Sequence, residues 1–283
     1  MREPARPGHR AAVAPLLSHL RIEVLPLPGV ADALAGLPPG TTVTVTCSPR
    51  RGIDPTVALA CDLAGRGVRA VPHLAARQVP GPTRLAEILH RLTTSGVREV
   101  FVVGGDAPEP LGPYPDGLAL LRGIAATGAA LDDIGIPGYP EGHPRIDAET
   151  LWATLRDKQH FATYLVTQLC FDVGAVAAFV RAARNRGITL PVLAGVPGVV
   201  DRDRLLRTGL KVGVGQSLRF VRGHRAVARG LLRPGGYRPD ALLRGLAEQV
   251  AAGRAELSGL HIYTFNDIAP TLRWTQRARD AAA

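Results

Sequence analysis

The sequence lacks the features that would place it in a membrane or in a disulfide scaffold. No apolar run approaches the roughly 18 residues that a membrane-spanning helix needs, and the N-terminal stretch does not have the form of a signal peptide. Cysteine occurs three times, at Cys47, Cys61 and Cys170, which is an odd number without the spacing of a metal site. We therefore expect reduced thiols in a cytoplasmic protein, with no bound metal and no membrane contact.

Lysine and aromatic residues are also scarce. Lys158 and Lys211 are the two lysines, so arginine carries nearly all of the positive charge behind the formal net charge of +10. Aromatic residues make up 5% of the chain and the arginines are dispersed, whereas nucleic-acid-binding proteins usually cluster their basic residues. The composition argues against nucleic acid as a partner and favours an anionic small molecule, which dispersed positive charge attracts.

Short apolar runs alternate with helical patterns along the chain. Eight runs are rich in apolar and β-branched residues and are bounded by turn residues, which predicts strands at 21–27, 41–47, 69–74, 98–104, 134–140, 163–171, 190–197 and 259–265. Helix-period patterns between them predict helices at 83–92, from 147 onward, at 173–187 and at 241–253.

Eight strands alternating with helices predict an α/β fold, a single (β/α)8 TIM barrel. A doubly wound open sheet is the alternative, but that fold usually carries a glycine-rich phosphate turn after its first strand, and RIEVLPLPG has none. No internal repeat or linker divides the chain. We expect residues 1–14 to be ragged or disordered and residues 15–283 to form one catalytic barrel domain.

Carboxylates recur at the ends of predicted strands, at Glu23, Asp106 and Glu141. Because all strand ends of a parallel barrel open onto one face, a substrate there would meet acidic groups from three directions, which suits a cationic intermediate. A structural role is the alternative for each position, such as a loop salt bridge, a core histidine or a rigid turn. The same geometry predicts that the site is lined by Glu23, Thr46, His73, Arg77, Asp106, Tyr139, Glu141, His143, Gln168, Asp172 and Asn266.

Five segments are specific enough to suggest a family: VPHL at 71–74, GGD at 104–106, GYPEGHP at 138–144, TQLCFD at 167–172 and LHIYTFN at 260–266. In order and spacing the chain resembles methylenetetrahydrofolate reductases, from Glu23 to about Trp274. The resemblance implies a barrel enzyme that reduces 5,10-methylenetetrahydrofolate to 5-methyltetrahydrofolate with a nicotinamide donor, and usually with bound FAD.

The resemblance also implies roles for individual residues. Glu23 matches the general acid that helps open the five-membered ring of the folate, and Asp106 matches an aspartate that favours the cationic iminium. An acid is needed because a nitrogen departs, and a nearby carboxylate stabilises the cation as its charge develops. Substrate-binding positions are Gln168, Asp106, Tyr139 and Asn266. Cofactor-binding positions are Thr46, His73, Gln168, Gln216, Glu141 and His143, with an ordinary loop as the alternative for Gln216 and the neighbouring Phe220.

The chain departs from the family pattern where flavin binds. The basic segment before the TQ pair is LRDKQHFATYLVTQ here, so the small-residue turn is lost, and Gly104–Gly105 replaces the arginine of the family's RGD. Asp267 stands where an arginine is common. These departures resemble a flavin-independent branch in actinobacteria, which implies direct transfer from NADH, with NADPH possible and FAD doubtful. The alternatives are an FAD-dependent reductase of the same family, a pterin-dependent one-carbon transferase and a non-catalytic folate-binding barrel.

Overall fold

The computed structural model describes residues 7–201 and 236–282. Gln216 and Phe220 lie outside the described residues, so the expectation for them stays a prediction. The strands form a closed barrel in the order β1 to β8. Their bounds are β1 Leu20–Val24, β2 Thr42–Val45, β3 Arg69–Ala75, β4 Glu99–Val103, β5 Asp133–Gly138, β6 Tyr164–Thr167, β7 Val192–Pro197 and β8 Gly259–Tyr263. The predicted (β/α)8 TIM barrel is confirmed.

Helices follow the strands, as the alternation in the sequence predicts. The described helices are α1 Pro7–Ser18, α2 Val30–Ala33, α3 Asp54–Gly65, α4 Pro82–Thr94, α5 Gly117–Thr127, α6 Ala148–Lys158, α7 Val173–Asn185, α8 Asp240–Ala251 and α9 Ile268–Ala282. A short 3-10 turn, η1 (Ala76–Gln78), continues directly from β3. In α4 the predicted apolar face of Leu85, Ile88, Leu89 and Leu92 is buried.

The first helix occupies part of the stretch expected to be ragged. α1 covers residues 7–14 of that stretch, and residues 1–6 lie outside the described part of the chain. Val13, Leu16 and Leu17 are all buried, because their spacing places them on one helix face. Two of these three buried positions, Leu16 and Leu17, lie past residue 14 and so outside the stretch expected to be ragged.

The described chain divides into two compact units. One, the Glu23 unit, contains residues 21–138 and 149–165. The other, the Gln168 unit, contains the described residues of 7–20, 139–148 and 166–282.

Within the Glu23 unit, the polar face of β1 is turned into the barrel. Side chains alternate along a strand, so Ile22 and Val24, both fully buried, share one face while Arg21 and Glu23 share the other. Arg21 contacts Glu99 of β4, although β4 is not a neighbour of β1 in the barrel. Such a contact has to cross the barrel interior. No helix among the described residues is long and apolar enough to cross a membrane.

Candidate functional site

Glu23 lies inside the barrel, next to a histidine. It is the second-last residue of β1 and pairs in register with Thr44 of β2, and its side chain is 13% exposed. His73 of β3 is buried, with its Nε2 3.7 Å from Oε2 of Glu23. The histidine ring also packs on Phe101, with 4.8 Å between the ring centroids. A carboxyl and an imidazole therefore share a largely water-excluded space.

Beneath this pair lies a buried ionic network. Arg21 is bonded to the Glu99 carboxylate, and its Nη1 donates to the Tyr164 hydroxyl at 2.9 Å. The guanidinium carbon also lies 4.1 Å from the centre of the Tyr164 ring, a cation–π contact. Arg69 approaches the other oxygen of Glu99 at 3.5 Å. Burial raises the pKa of Tyr164 well above its usual range, so the phenol stays neutral.

The network needs space that a missing side chain provides. Gly135 lies on β5, where a Cβ atom would collide with Tyr164 and with the Phe101 ring. The absence of a side chain at Gly135 thus lets two aromatic rings fill the barrel interior below Glu23 and His73. We call this layer of Arg21, Glu99, Phe101 and Tyr164 the floor of the barrel. Sequence reasoning missed it, because Arg21, Glu99 and Tyr164 are far apart in the chain.

Thr46 presents an unused hydroxyl at the end of β2. The residue is buried, its amide donates to the Val24 carbonyl at 2.9 Å, and its carbonyl accepts from the Thr56 hydroxyl at 2.8 Å. Its own Oγ1 has no hydrogen-bond partner among the described residues. A buried hydroxyl without a partner has unmet capacity both to donate and to accept, and a polar ligand can meet it.

Asp106 lies in the loop between β4 and α5, three residues past the end of β4, and it is exposed. The preceding Gly105 has a φ of +87°, a conformation that glycine adopts without strain. Arg77, which the sequence placed in the site lining, instead bonds to carbonyl groups of this loop. The loop thus presents the Asp106 carboxylate to solvent while its backbone is held.

Lys158 ends α6 and lies against the start of α5. A Cβ on Gly117, the first residue of α5, would lie 3.4 Å from the Lys158 Nζ. Burial lowers the pKa of the Lys158 ammonium, and the nearby Asp116 carboxylate offsets part of that shift. Asp116 is itself the helix cap, accepting from the amides of Leu118 and Ala119. The ammonium therefore lies at the positive end of the helix dipole, which is an unfavourable place for a cation.

In the Gln168 unit, the YPEGHP segment forms a tight turn. Tyr139 and His143 meet edge to face, with 5.1 Å between ring centroids. The Gly142 amide donates to the Tyr139 carbonyl at 3.1 Å, and His143 Nδ1 accepts from the Arg145 amide at 3.3 Å. Glu141 is exposed at the turn. The segment is a rigid turn, and it also orients the two aromatic rings predicted to bind ligand.

Two segments of this unit meet at a cysteine. The pKa of the Cys170 thiol is raised to about 12, mainly by burial and in part by the nearby Glu141 carboxylate. The thiol donates to the Asp172 carbonyl at 3.5 Å. The structure therefore brings the YPEGHP turn next to the TQLCFD segment, and the protonated thiol is a weak nucleophile.

The polar residues of TQLCFD have different surroundings. Gln168 is exposed just past β6, and its side-chain oxygen accepts from the Leu169 amide at 2.8 Å, which leaves its amide nitrogen directed elsewhere. Asp172 caps α7, accepting from the amides of Gly174 and Ala175 at 2.7 and 3.2 Å. The Asp172 side chain thus has a structural task that explains its presence, whereas the exposure of Gln168 suits contact with a ligand.

The end of β8 is strained. Phe265 and Asn266 both have left-handed backbone conformations, with φ values of 52° and 58°. Asparagine tolerates this region, but a bulky residue such as phenylalanine rarely adopts it. Phe265 is held there by burial in a cluster with Leu169, Phe171, Val200 and Tyr237. Strain of this kind is often found at functional sites, and here it fixes the orientation of the Asn266 backbone.

His261 and Tyr263, on the same face of β8, are two further polar residues that the site prediction did not include. Their ring centroids are 4.9 Å apart, and the Tyr263 hydroxyl donates to the Thr167 carbonyl at 3.2 Å. That bond passes over Gly195 of β7, where a Cβ would lie 2.9 Å from Cε2 of Tyr263. Their position in the LHIYTFN segment was the available signal, since alternate residues of a strand share a face.

The family model for methylenetetrahydrofolate reductase matches residues 33–214, which is more than half of the 283-residue chain. The chain belongs to the methylenetetrahydrofolate reductase family.

Individual reductases match over shorter stretches. A probable methylenetetrahydrofolate reductase (NADH) of Oryza sativa subsp. japonica is 26% identical over an aligned length of 158 residues, and the match covers 50% of this chain and 26% of that protein. A probable methylenetetrahydrofolate reductase (NADPH) of Caenorhabditis elegans is 28% identical over an aligned length of 127 residues, and the match covers 42% of this chain and 19% of that protein. The chain thus spans about a quarter or less of the length of these curated reductases.

A solved structure from outside the reductase family shares the fold. An oxaloacetate acetylhydrolase has a TM-score of 0.52 and 13% sequence identity to this chain, over 96% of this chain and 86% of that one. At this identity the likeness concerns the barrel alone and indicates no substrate for this member of the reductase family.

Proposed function

We propose that this chain reduces 5,10-methylenetetrahydrofolate to 5-methyltetrahydrofolate with a hydride from NADH, and that no flavin takes part. Membership of the reductase family supports the reaction, and its relatives include reductases named for NADH and for NADPH. The observation that carries the proposal is the Glu23 carboxyl, 13% exposed on the inner face of β1 with His73 at 3.7 Å.

Glu23 supplies the proton that opens the folate ring. The bond between N10 and the bridging methylene carbon breaks, N10 takes the proton from the Glu23 carboxyl, and an iminium cation forms at N5. Positioned proton transfer of this kind contributes about 10²- to 10⁴-fold in rate. His73 holds the carboxyl on its inner side and limits the positions that it can adopt.

Asp106 stabilises the cation. The Asp106 carboxylate is exposed on a loop whose backbone carbonyls are bonded to Arg77. The carboxylate can therefore contact a ligand without reorganisation of the loop during the reaction. Pre-organised charge of this kind is an effective form of transition-state stabilisation. Gln168, Tyr139 and Asn266 contact the folate in this proposal, and the exposure of Gln168 is compatible with that role.

The nicotinamide supplies the hydride when it is bound. Thr46 fits the carboxamide of such a ring, because its buried hydroxyl has both hydrogen-bonding capacities unused among the described residues. His73, Gln168, Glu141 and His143, and Gln216 outside the described residues, complete the proposed cofactor set. Two acidic groups, Glu23 and Asp106, thus serve the folate, while neutral polar groups serve most of the nicotinamide site.

The hydrogen bonds of Arg77 support the absence of flavin. A flavin dinucleotide needs its pyrophosphate compensated by positive charge or amide donors. In the Glu23 unit, the Arg77 guanidinium is engaged by three carbonyls of the loop after β4, so it is not a ready phosphate ligand. The alternative remains an FAD-dependent reductase with a rearranged phosphate loop.

An absorbance spectrum and an NADH-oxidation assay on one purified sample test the proposal. We expect no flavin band and oxidation of NADH that depends on methylenetetrahydrofolate. A flavin band that corresponds to about one flavin per chain, with the same activity, would contradict the flavin-free reaction and support the flavin-dependent one. Tight folate binding without any NADH oxidation would contradict the reductase assignment itself.

A further inference from the structure

The turn after β3 is bonded to the loops on both sides of it. η1 begins three residues after His73, and its last two residues are Arg77 and Gln78. Arg77 reaches the loop after β4, residues 104–116, which we call the β4 loop. Gln78 reaches the loop after β2, residues 46–53, which we call the β2 loop. Asp106 lies on the first of these loops and Thr46 begins the second.

Arg77 holds the β4 loop by side chain and backbone together. Its Nε donates to the Ala107 carbonyl at 2.6 Å, its Nη2 to Pro108 at 2.5 Å and its Nη1 to Pro115 at 3.0 Å. Its amide donates to the Gly104 carbonyl at 3.1 Å, and its carbonyl accepts from the Leu111 amide at 3.0 Å. The carbonyl next to Asp106 is therefore tied directly to the guanidinium.

The composition of the β4 loop explains why such a donor is needed. It contains four prolines, at 108, 110, 113 and 115, which have no amide hydrogen, so the loop has few donors for its own carbonyls. A guanidinium offers five donors in a fixed planar arrangement and can serve several carbonyls at once. The loop also packs closely on residues 75–80, since a Cβ on Gly112 would collide with the Pro80 carbonyl, and one on Gly105 would lie 3.2 Å from the Ala75 Cβ.

Gln78 holds the β2 loop in a corresponding way. Its side chain is buried, its Oε1 accepts from the Cys47 thiol at 3.0 Å, and its Nε2 donates to the Ser48 carbonyl at 3.1 Å. Burial raises the pKa of Cys47 to about 11, so the thiol stays protonated and remains a donor. Cys47 directly follows Thr46, so this bond fixes the chain next to the unused hydroxyl.

We propose that Arg77 and Gln78 are positioning residues for the reductase reaction: Arg77 sets the place of Asp106, and Gln78 sets the place of Thr46. The inference rests on the proposed function, because the two loops matter for catalysis only if Asp106 and Thr46 have their proposed roles. Neither η1 side chain has to touch substrate. A misplacement of a catalytic group by about 1 Å can lower the rate roughly a hundredfold, so the hydrogen bonds that fix these two loops affect the rate of the reaction.

Replacing Arg77 tests the first half of the proposal. We expect Arg77→Ala to lower kcat about a hundredfold, and Arg77→Lys to recover part of that loss, because one ammonium can replace only part of the fork. Arg184→Ala is the matched control. Arg184 also donates to two backbone carbonyls, of Ile188 and Leu190, but these precede β7 and lie at the amino end of that strand. It should lose stability and keep its kcat.

A double-mutant cycle separates positioning from simple loss of structure. If Arg77 acts through Asp106, Arg77→Lys should add little to the loss already caused by Asp106→Asn. Full additivity of the two losses, or a normal kcat in both Arg77 variants, would overturn the proposal. Full turnover in Asp106→Asn alone would instead remove the role of Asp106, and with it the reason for holding its loop.

Gln78 gives a different kinetic signature. Gln78→Leu should raise the KM for NADH about three- to tenfold through Thr46, the loss expected for one neutral hydrogen bond, with the KM for folate unchanged. Equal changes in both KM values, or no change in either, would count against a separate role for Gln78. The circular dichroism spectrum and Tm of each variant show whether the barrel is folded during these assays.

Discussion

Glu23 and His73 face each other inside the barrel, with 3.7 Å between Oε2 and Nε2, although the whole of β2 separates their strands. Both side chains must project from the inner faces of their strands to meet in this way. Below them the space is closed by the Phe101 and Tyr164 rings and by the Arg21–Glu99 pair. In the proposed reaction, this carboxyl donates its proton to a ligand that enters from the carboxyl ends of the strands.

Glu23→Gln should abolish proton donation and leave binding intact. The amide has nearly the shape of the carboxyl, so we expect an unchanged Kd for the folate and a kcat lower by about 10²- to 10⁴-fold. Calorimetry measures the first quantity and NADH oxidation the second. Glu87→Gln, at an exposed position on α4, is the control and should be indistinguishable from the native enzyme in both. Near-normal turnover in Glu23→Gln would remove Glu23 from the mechanism.

The hydroxyl of Thr46 offers a test that separates stability from binding. Thr46→Val removes a buried hydroxyl that has no partner among the described residues, so the free energy of unfolding should stay the same or rise by about 1 kcal/mol. The KM for NADH should rise about three- to tenfold, for the loss of one neutral hydrogen bond.

Thr56→Val provides the contrast, because its hydroxyl donates to the Thr46 carbonyl, and its loss should cost about 1–3 kcal/mol. Urea denaturation measures the stability of both variants. A Thr46→Val protein that is as destabilised as Thr56→Val, with an unaltered KM for NADH, would mean that the hydroxyl serves the fold and not the cofactor.

The ionic floor of the barrel should be important for stability. Glu99→Gln leaves the Arg21 guanidinium without its buried carboxylate, and breaking one side of a buried pair costs about 3–5 kcal/mol. The exposed pair of Arg84 and Glu87 is the comparison, since surface pairs contribute about 0–1 kcal/mol. Similar unfolding free energies for Glu99→Gln and Glu87→Gln would show that the buried ion pair does not contribute more to stability than the exposed one.

Lys158 should make stability depend on pH in a defined direction. Its pKa is lowered on folding, so between that value and the ordinary 10.5 the unfolded chain binds more protons than the folded one. The free energy of unfolding therefore rises with pH across that window, and the cost of burying the ammonium is full below it.

Lys158→Met should then be more stable than the native chain at pH 7, and its advantage should shrink as the pH approaches 10.5. Arg156→Met, at an exposed position on the same helix, should show neither effect. Thermal unfolding at several pH values measures both variants. A Lys158→Met protein less stable than the native chain at pH 7 would mean that the ammonium has a stabilising partner.

The order of the elements could be predicted because a local sequence pattern indicates each strand. Each of the eight predicted runs overlaps a strand, since β-branched and apolar residues bounded by glycine and proline favour that conformation. The floor was not predictable in the same way. Arg21 is 78 residues from Glu99 and 143 from Tyr164, and no local pattern couples positions so far apart.

The candidate site was predictable to a similar degree. Strand ends indicated Glu23 and His73, and the structure brings these two together. The same rule also selected Arg77 and Asp172, whose side chains bind loop carbonyls and cap a helix. A position at the end of a strand predicts roughly where a side chain lies. Its hydrogen-bond partner depends on the path of the following loop, which the position does not predict.

The transfer of a hydrogen isotope tests the central claim most directly. With NADH carrying deuterium at the transferred position of C4, direct transfer places one deuterium in the methyl group of 5-methyltetrahydrofolate, as mass spectrometry of the product will show. A flavin intermediary would exchange that hydrogen with water before passing it on. We expect full retention of the label; a product methyl group without deuterium would contradict direct transfer, and the absence of any methyl product would contradict the reductase.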